Sequence, residues 1–81
     1  MTPLQEDVLR ILRVFGPMSN ADVARQLKLP LHQTYRALGE LVGRGLAVHP
    51  KLQRWDISER GRRWFQDQPN KPLQLFSEGF Q

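Results

Sequence analysis

His32, Gln33, Tyr35 and Arg36 crowd the stretch "LHQTYRALGELVGRGLAV", Leu31 to Val48. A glutamine amide donates and accepts at once, so Gln33 suits a two-point hydrogen bond to a planar edge that carries both groups. The guanidinium of Arg36 is a rigid fork of donors that matches paired acceptors or a phosphate. His32 and Tyr35 add a ring each and further polar atoms. This is recognition chemistry. Catalysis finds little support: His32 and His49 have no cysteine companion and no metal-binding spacing, and the carboxylates are scattered. Ser19, Ser58 and Ser77 sit in no nucleophile motif, and no glycine-rich phosphate loop occurs. The expectation is a binding protein with no enzyme activity, no metal and no cofactor.

Other groups extend the polar set. His49, Lys51, Gln53 and Arg54 form one, Ser19, Asn20, Arg25 and Lys28 another, and Arg60, Arg62 and Arg63 a third. Lys and Arg outnumber Asp and Glu by 12 to 8 in the 81 residues, for a net charge of +4. A basic balance favours polyanionic partners, nucleic acid or an acidic membrane surface. There is no cysteine to staple the fold, so packing must hold it. No apolar run approaches the roughly 20 residues needed to span a bilayer. The beginning, "MTPLQEDVLR", lacks a basic region leading into an apolar one, so the chain reads as cytoplasmic.

What must position these residues is helical. Thr2-Pro3-Leu4-Gln5 reads as a capping box with proline at the first helical position. Leu4, Val8, Ile11, Leu12 and Phe15 follow at helical spacing, until Gly16-Pro17 stops the run. Glu6 and Asp7 near the start, with Arg10 and Arg13 near the end, complement the helix dipole. Ser19 and Asp22 open a second, short helix with Ala21, Val23, Ala24 and Leu27 as its apolar face. Leu29-Pro30 forces a break, because a residue before proline avoids the α region. Thr34, Leu38, Leu41 and Val42, joined by Leu31, face the core from a third helix, leaving His32, Gln33, Tyr35, Arg36, Gly39 and Glu40 outside. Gly43 and Gly45 end it, Gly45 as the left-handed cap.

After Gly45 the pattern changes. "LAVHP" and "RWDIS" have strand character, with "PKLQ" as the hairpin tip and Pro50 first in it. Ser58 caps a fourth helix over Glu59 to Asp67 that carries Trp64 and Phe65. Those two rings and Trp55 are expected in the core, with Trp64 or Phe65 alternatively at a dimer seam. Residues 1–68 read as one domain and 69–81 as a C-terminal tail, flexible or loosely docked. The fold class expected is mainly α with a small β-hairpin: a three-helix core, a two-stranded wing and a C-terminal helix, which is a winged helix-turn-helix.

Leu29, Pro30, Leu31, His32, Gln33, Thr34, Tyr35, Arg36, Ala37 and Leu38, then Leu41, Gly45, Leu46 and Ala47, resemble the helix-turn-helix and wing entry of bacterial winged-helix regulators of the MarR and ArsR types. "ISERGRRWF", from Ile57, is similar to the run that follows the wing in those families. Pro30, His32 and Gln33 stand where the families carry small hydroxyl residues, and the long dimerisation helices of the MarR type have no counterpart. The resemblance implies a sequence-specific double-stranded DNA-binding protein, a small prokaryotic or phage transcriptional regulator.

Such a motif lays its second helix in the major groove. His32, Gln33, Tyr35 and Arg36 would then meet base edges, Gln33 typically adenine and Arg36 guanine or phosphate. Lys51, Gln53 and Arg54 on the wing would reach phosphate or the adjacent minor groove, and Ser19, Asn20, Arg25 and Lys28 around the second helix would meet the backbone. Two other readings stay open. One is a protein-interaction module using Tyr35, Leu52, Trp64, Phe65 or the tail. The other is a replication or recombination accessory factor whose tail recruits a partner, since "PLQLF", Pro72 to Phe76, resembles peptides that dock on the bacterial sliding clamp. Homodimerisation is also left open.

Overall fold

Helix α1 (Pro3–Phe15) starts where its capping box predicts. The structure is a computed structural model that describes residues 1–67. Thr2 Oγ1 accepts from the Gln5 backbone N–H at 3.1 Å, and Gln5 Oε1 accepts from the Thr2 N–H at 3.4 Å. The helix stops at Gly16, whose φ of 81° few other residues adopt readily. Its buried arc is wider than the expected stripe. Val8, Leu9, Ile11 and Leu12 are buried, as are Gln5, Glu6 and Asp7, because α1 is contacted from several sides, by α2 (Asn20–Leu27), α3 (Leu31–Gly43) and strand β2 (Arg54–Ile57). Leu4 is only partly buried, and Phe15 is exposed at the helix end. Arg10, beside Asp7 and Glu6, is pushed below its ordinary pKa by burial, and those two carboxylates oppose the shift.

Helix α2 opens on Ser19, whose Oγ accepts from the Asp22 N–H at 3.1 Å. Val23, Ala24 and Leu27 are buried, whereas Ala21 is exposed. The helix ends through Lys28 in the left-handed conformation, φ 57°, with the Leu29 N–H returning to the Ala24 carbonyl at 3.0 Å. Pro30 then leads into α3.

The buried face of α3 is Thr34, Ala37, Leu38 and Leu41. Leu31 and Val42, expected inside, lie on the rim at 56% and 38% exposure. A 3.6-residue repeat centres the core face on Thr34, Leu38 and Leu41, which places Ala37 inside and swings Leu31 and Val42 to one edge. At the far end, the Gly45 N–H bonds to the Val42 carbonyl and the Leu46 N–H to the Leu41 carbonyl. This is a Schellman motif with Gly45 left-handed at φ 76°. It turns the chain into the hairpin.

Strand β1 (Ala47–Lys51) pairs antiparallel with β2, Ala47 with Ile57, Val48 with Asp56 and Lys51 with Arg54. Pro50 lies inside β1, not at the tip, and the turn is left to Leu52 and Gln53. The register slips between Val48 and Lys51, so that His49 and Pro50 together face Trp55. Proline lacks the N–H a regular ladder needs, and a bulge accommodates it. Trp55 bonds instead to Met18, N–H to carbonyl in both directions at 2.7 and 2.8 Å. The hairpin is thereby stitched to the connection between α1 and α2.

Helix α4 (Glu59–Asp67) is capped by Ser58, whose Oγ accepts from the Gly61 N–H at 3.0 Å and donates to the Gly45 carbonyl at 2.6 Å. A Cβ on Gly61 would fall 2.2 Å from the Leu46 carbonyl oxygen and 2.7 Å from Ile57 Cγ1. Only glycine lets α4 cross the start of the hairpin this closely. Phe65 is buried beneath the Arg10 and Arg13 guanidiniums, and Trp64, partly buried, meets it edge-on. The protein is thus mainly helical with a two-stranded antiparallel hairpin, a winged-helix-like arrangement. No helix of the described residues is long and apolar enough to cross a membrane. The tail, with its Pro72 to Phe76 stretch, lies outside the described residues.

Candidate nucleic-acid interface

Helix α3 is held on two sides before it presents anything. Asn20, the first residue of α2, donates from Nδ2 to the Leu31 carbonyl at 3.0 Å and accepts from Thr34 Oγ1 at Oδ1. Thr34 is fully buried and also reaches the Leu31 carbonyl at 3.1 Å. Pro30 offers no side-chain cap, so Asn20 ties down the first turn of α3 from the neighbouring helix. On the wing side, Trp55 is buried. His49 stacks on it with centroids 4.2 Å apart and planes within 6°, and Tyr35 meets it edge-on at 5.8 Å. These three rings set the hairpin against one flank of α3.

The four recognition candidates do not share one surface. Tyr35, 60% exposed, is the wall between two shallow clefts on the wing side. One cleft is lined by Tyr35, Gly39, Val42, His49 and Trp55. The other, lined by Ser19, Asn20, Ala21, Leu31, Tyr35, Gln53 and Trp55, brings the α2 start and the wing tip together. Three predicted site residues, Ser19, Asn20 and Gln53, therefore do converge on Tyr35. His32, Gln33 and Arg36 line a third depression, with Glu40 and the start of α1 at Thr2 and Leu4.

Several candidates already hold internal partners. Ser19 caps α2, and both polar ends of the Asn20 amide are engaged. Arg25 pairs with Asp22 at 3.1 Å, Arg36 with Glu40 at 3.7 Å, and Arg63 with Glu59 at 3.3 Å. Among the described residues Lys28, Arg44, Arg54, Arg60 and Arg62 form no ion pair with a carboxylate. Arg60 lies over Gly45 with Nη1 3.5 Å from the Arg44 carbonyl, at the opposite end of α3 from His32. Lys51 closes β1 opposite Arg54. Arg60 therefore lies at the C-terminal end of α3, while the outer flank carries the Arg36–Glu40 pair.

Four residues, Gln5, Leu31, Val42 and His49, take part in ways that the sequence pattern does not announce. Gln5 donates from Nε2 to Glu40 Oε1 at 2.8 Å, linking α1 to the outer flank of α3. Leu31 and Val42, which the helical spacing places in the core, instead border Tyr35. The partnership of His49 with Trp55 spans a bulge that no local pattern announces. No group of three or more His, Cys, Asp or Glu residues able to hold a metal occurs among the described residues. No family model, curated protein or solved structure matches the chain significantly.

Proposed function

We propose that the protein binds double-stranded DNA in a sequence-dependent way, as a small prokaryotic or phage transcriptional regulator acting in the cytoplasm. Helix α3 would enter the major groove, with the hairpin on the flanking backbone. The observation that carries this reading is the bracing of α3: Asn20 clamps its first turn and the Tyr35–Trp55–His49 rings fix the wing beside it. A helix braced in this way, with His32, Gln33 and Arg36 exposed, suits base reading. Arg54 and Lys51 would supply contacts that give affinity without sequence information. Selection of bound duplexes from a random pool at low salt tests the proposal. Enrichment of one sequence, with affinity falling steeply as salt rises, is the expected result. Absence of duplex binding, or binding untouched by Arg36→Ala combined with Lys51→Ala, would remove it.

A second reading has its own observation. Leu31, Tyr35 and Val42 form an exposed apolar edge on α3, and Leu52 at the wing tip is 86% exposed. Such a surface fits a partner protein better than a phosphate backbone. Loss of a protein complex on Leu52→Ser and Leu31→Ser, with duplex binding absent throughout, would favour that role.

A further inference from the structure

We propose that Glu40, held in place by Gln5, is a specificity-determining residue that aims Arg36 at a base edge and away from the phosphate backbone. The inference rests on the duplex-DNA reading and deepens it. Its basis is a relay running from the start of α1 to the outward flank of α3. Gln5 is 5% exposed, and its amide is used at both ends, accepting from the Thr2 N–H and donating to Glu40 Oε1 at 2.8 Å. Glu40 is thus anchored through one oxygen to a buried side chain of another helix. Its second oxygen, Oε2, lies 3.7 Å from Arg36 Nε.

Helix stability does not account for this pair. Arg36 precedes Glu40 by four residues, the weaker of the two orders for an i,i+4 pair. Both side chains are substantially exposed, at 83% and 44%, so solvent screens the attraction. An acid on a groove-facing helix also repels every phosphate near it. The arrangement has a directional effect instead. The carboxylate oxygen lies 3.7 Å from Nε, beyond hydrogen-bond distance, and draws that edge of the guanidinium toward it by charge. Neither terminal nitrogen has a hydrogen-bond partner among the described residues, which leaves both as the pair of donors that fits the two acceptors of a guanine in the major groove. An arginine without that anchor swings among phosphates and holds any sequence. Glu40 therefore weakens binding to all DNA through its charge, and weakens binding to the wrong sequence more.

The test measures dissociation constants for the selected duplex and a scrambled duplex of equal length, at one fixed salt concentration. The readout is the scrambled-duplex constant divided by the selected-duplex constant. Glu40→Gln should tighten binding to the scrambled duplex and lower the ratio by roughly ten-fold, the discrimination attached to one two-point base contact. Gln5→Met, which removes the anchoring donor at nearly constant volume, should lower the ratio in the same direction by a smaller factor. In an Arg36→Ala background, Glu40→Gln should leave the ratio where Arg36→Ala alone puts it. Arg36→Lys keeps the charge without the fork and should lower the ratio while scrambled-duplex affinity persists. Thermal melts by circular dichroism establish that each variant is folded at the assay temperature. The proposal is overturned if Glu40→Gln tightens both duplexes by one common factor, or if it lowers the ratio equally with and without Arg36. Wild-type protein that binds no duplex removes this proposal together with the DNA reading. Wild-type protein that discriminates while the Glu40 variants discriminate equally well removes this proposal alone.

Discussion

The two flanks of α3 are built differently. The wing-side flank carries Leu31, Tyr35 and Val42, and Tyr35 there leans on a buried tryptophan that is itself stacked by His49. The outer flank carries His32, Gln33, Arg36 and Glu40, and a hydrogen bond from Gln5 of α1 reaches it at Glu40. One flank is held by ring packing and the other by polar contacts that water competes for. Substitutions on the wing side should therefore be read out mainly as stability. Those on the outer flank should be read out mainly as binding, with the fold left intact.

The strongest trial of this contrast is Trp55→Ala. Truncating a buried aromatic costs about 3–5 kcal/mol, and here it removes the support of both Tyr35 and His49. Chemical denaturation should show a drop of that order, and a change below about 1 kcal/mol would break the contrast at its centre. Thr34→Val comes next. It keeps the volume but leaves the Asn20 amide short of a partner inside the α2–α3 contact, at a cost of about 1–3 kcal/mol. The same measurement reads it, and an unchanged midpoint would mean that Asn20 does not brace the first turn of α3.

Tyr35→Ala should be intermediate, because the ring is exposed on one side and packed on the other. Loss of the edge contact predicts about 1 kcal/mol, with a measurable decrease in duplex affinity. The smallest stability effect belongs to Arg36→Ala, within about 0.5 kcal/mol of wild type, since its ion pair is exposed. Its duplex affinity should nevertheless fall by roughly ten-fold, read by fluorescence anisotropy. An Arg36 variant that melts well below wild type and binds normally would reverse the assignment of the two flanks.

Local chemistry was legible wherever one element decides the outcome. The Thr2–Gln5 box, the Ser19 and Ser58 caps and the left-handed Gly45 each depend on residues within a turn of one another, and each stands where the sequence places it. Errors gathered at the edges of faces. Phe15, Ala21, Leu31 and Val42 fit the apolar spacing, but whether an edge position is covered depends on which element lies beside it. Pro50 shows the same limit. Proline suggests a turn, yet the bonding of Trp55 to Met18 lets β1 run past it through a bulge.

The residues alone dictate the element order, the caps and breaks, and the outward placement of His32, Gln33, Tyr35 and Arg36 on α3. These follow from backbone preferences and from a repeat that acts within single helices and strands. The tertiary structure alone decided which distant residues meet. It set Gln5 on Glu40, Asn20 on Thr34, and His49 and Tyr35 on Trp55. It also gave Gly61 its reason, since the clash that excludes a side chain there comes from Leu46 and Ile57 on the hairpin. Such contacts depend on how the helices are oriented in space, and no periodicity along the chain encodes that.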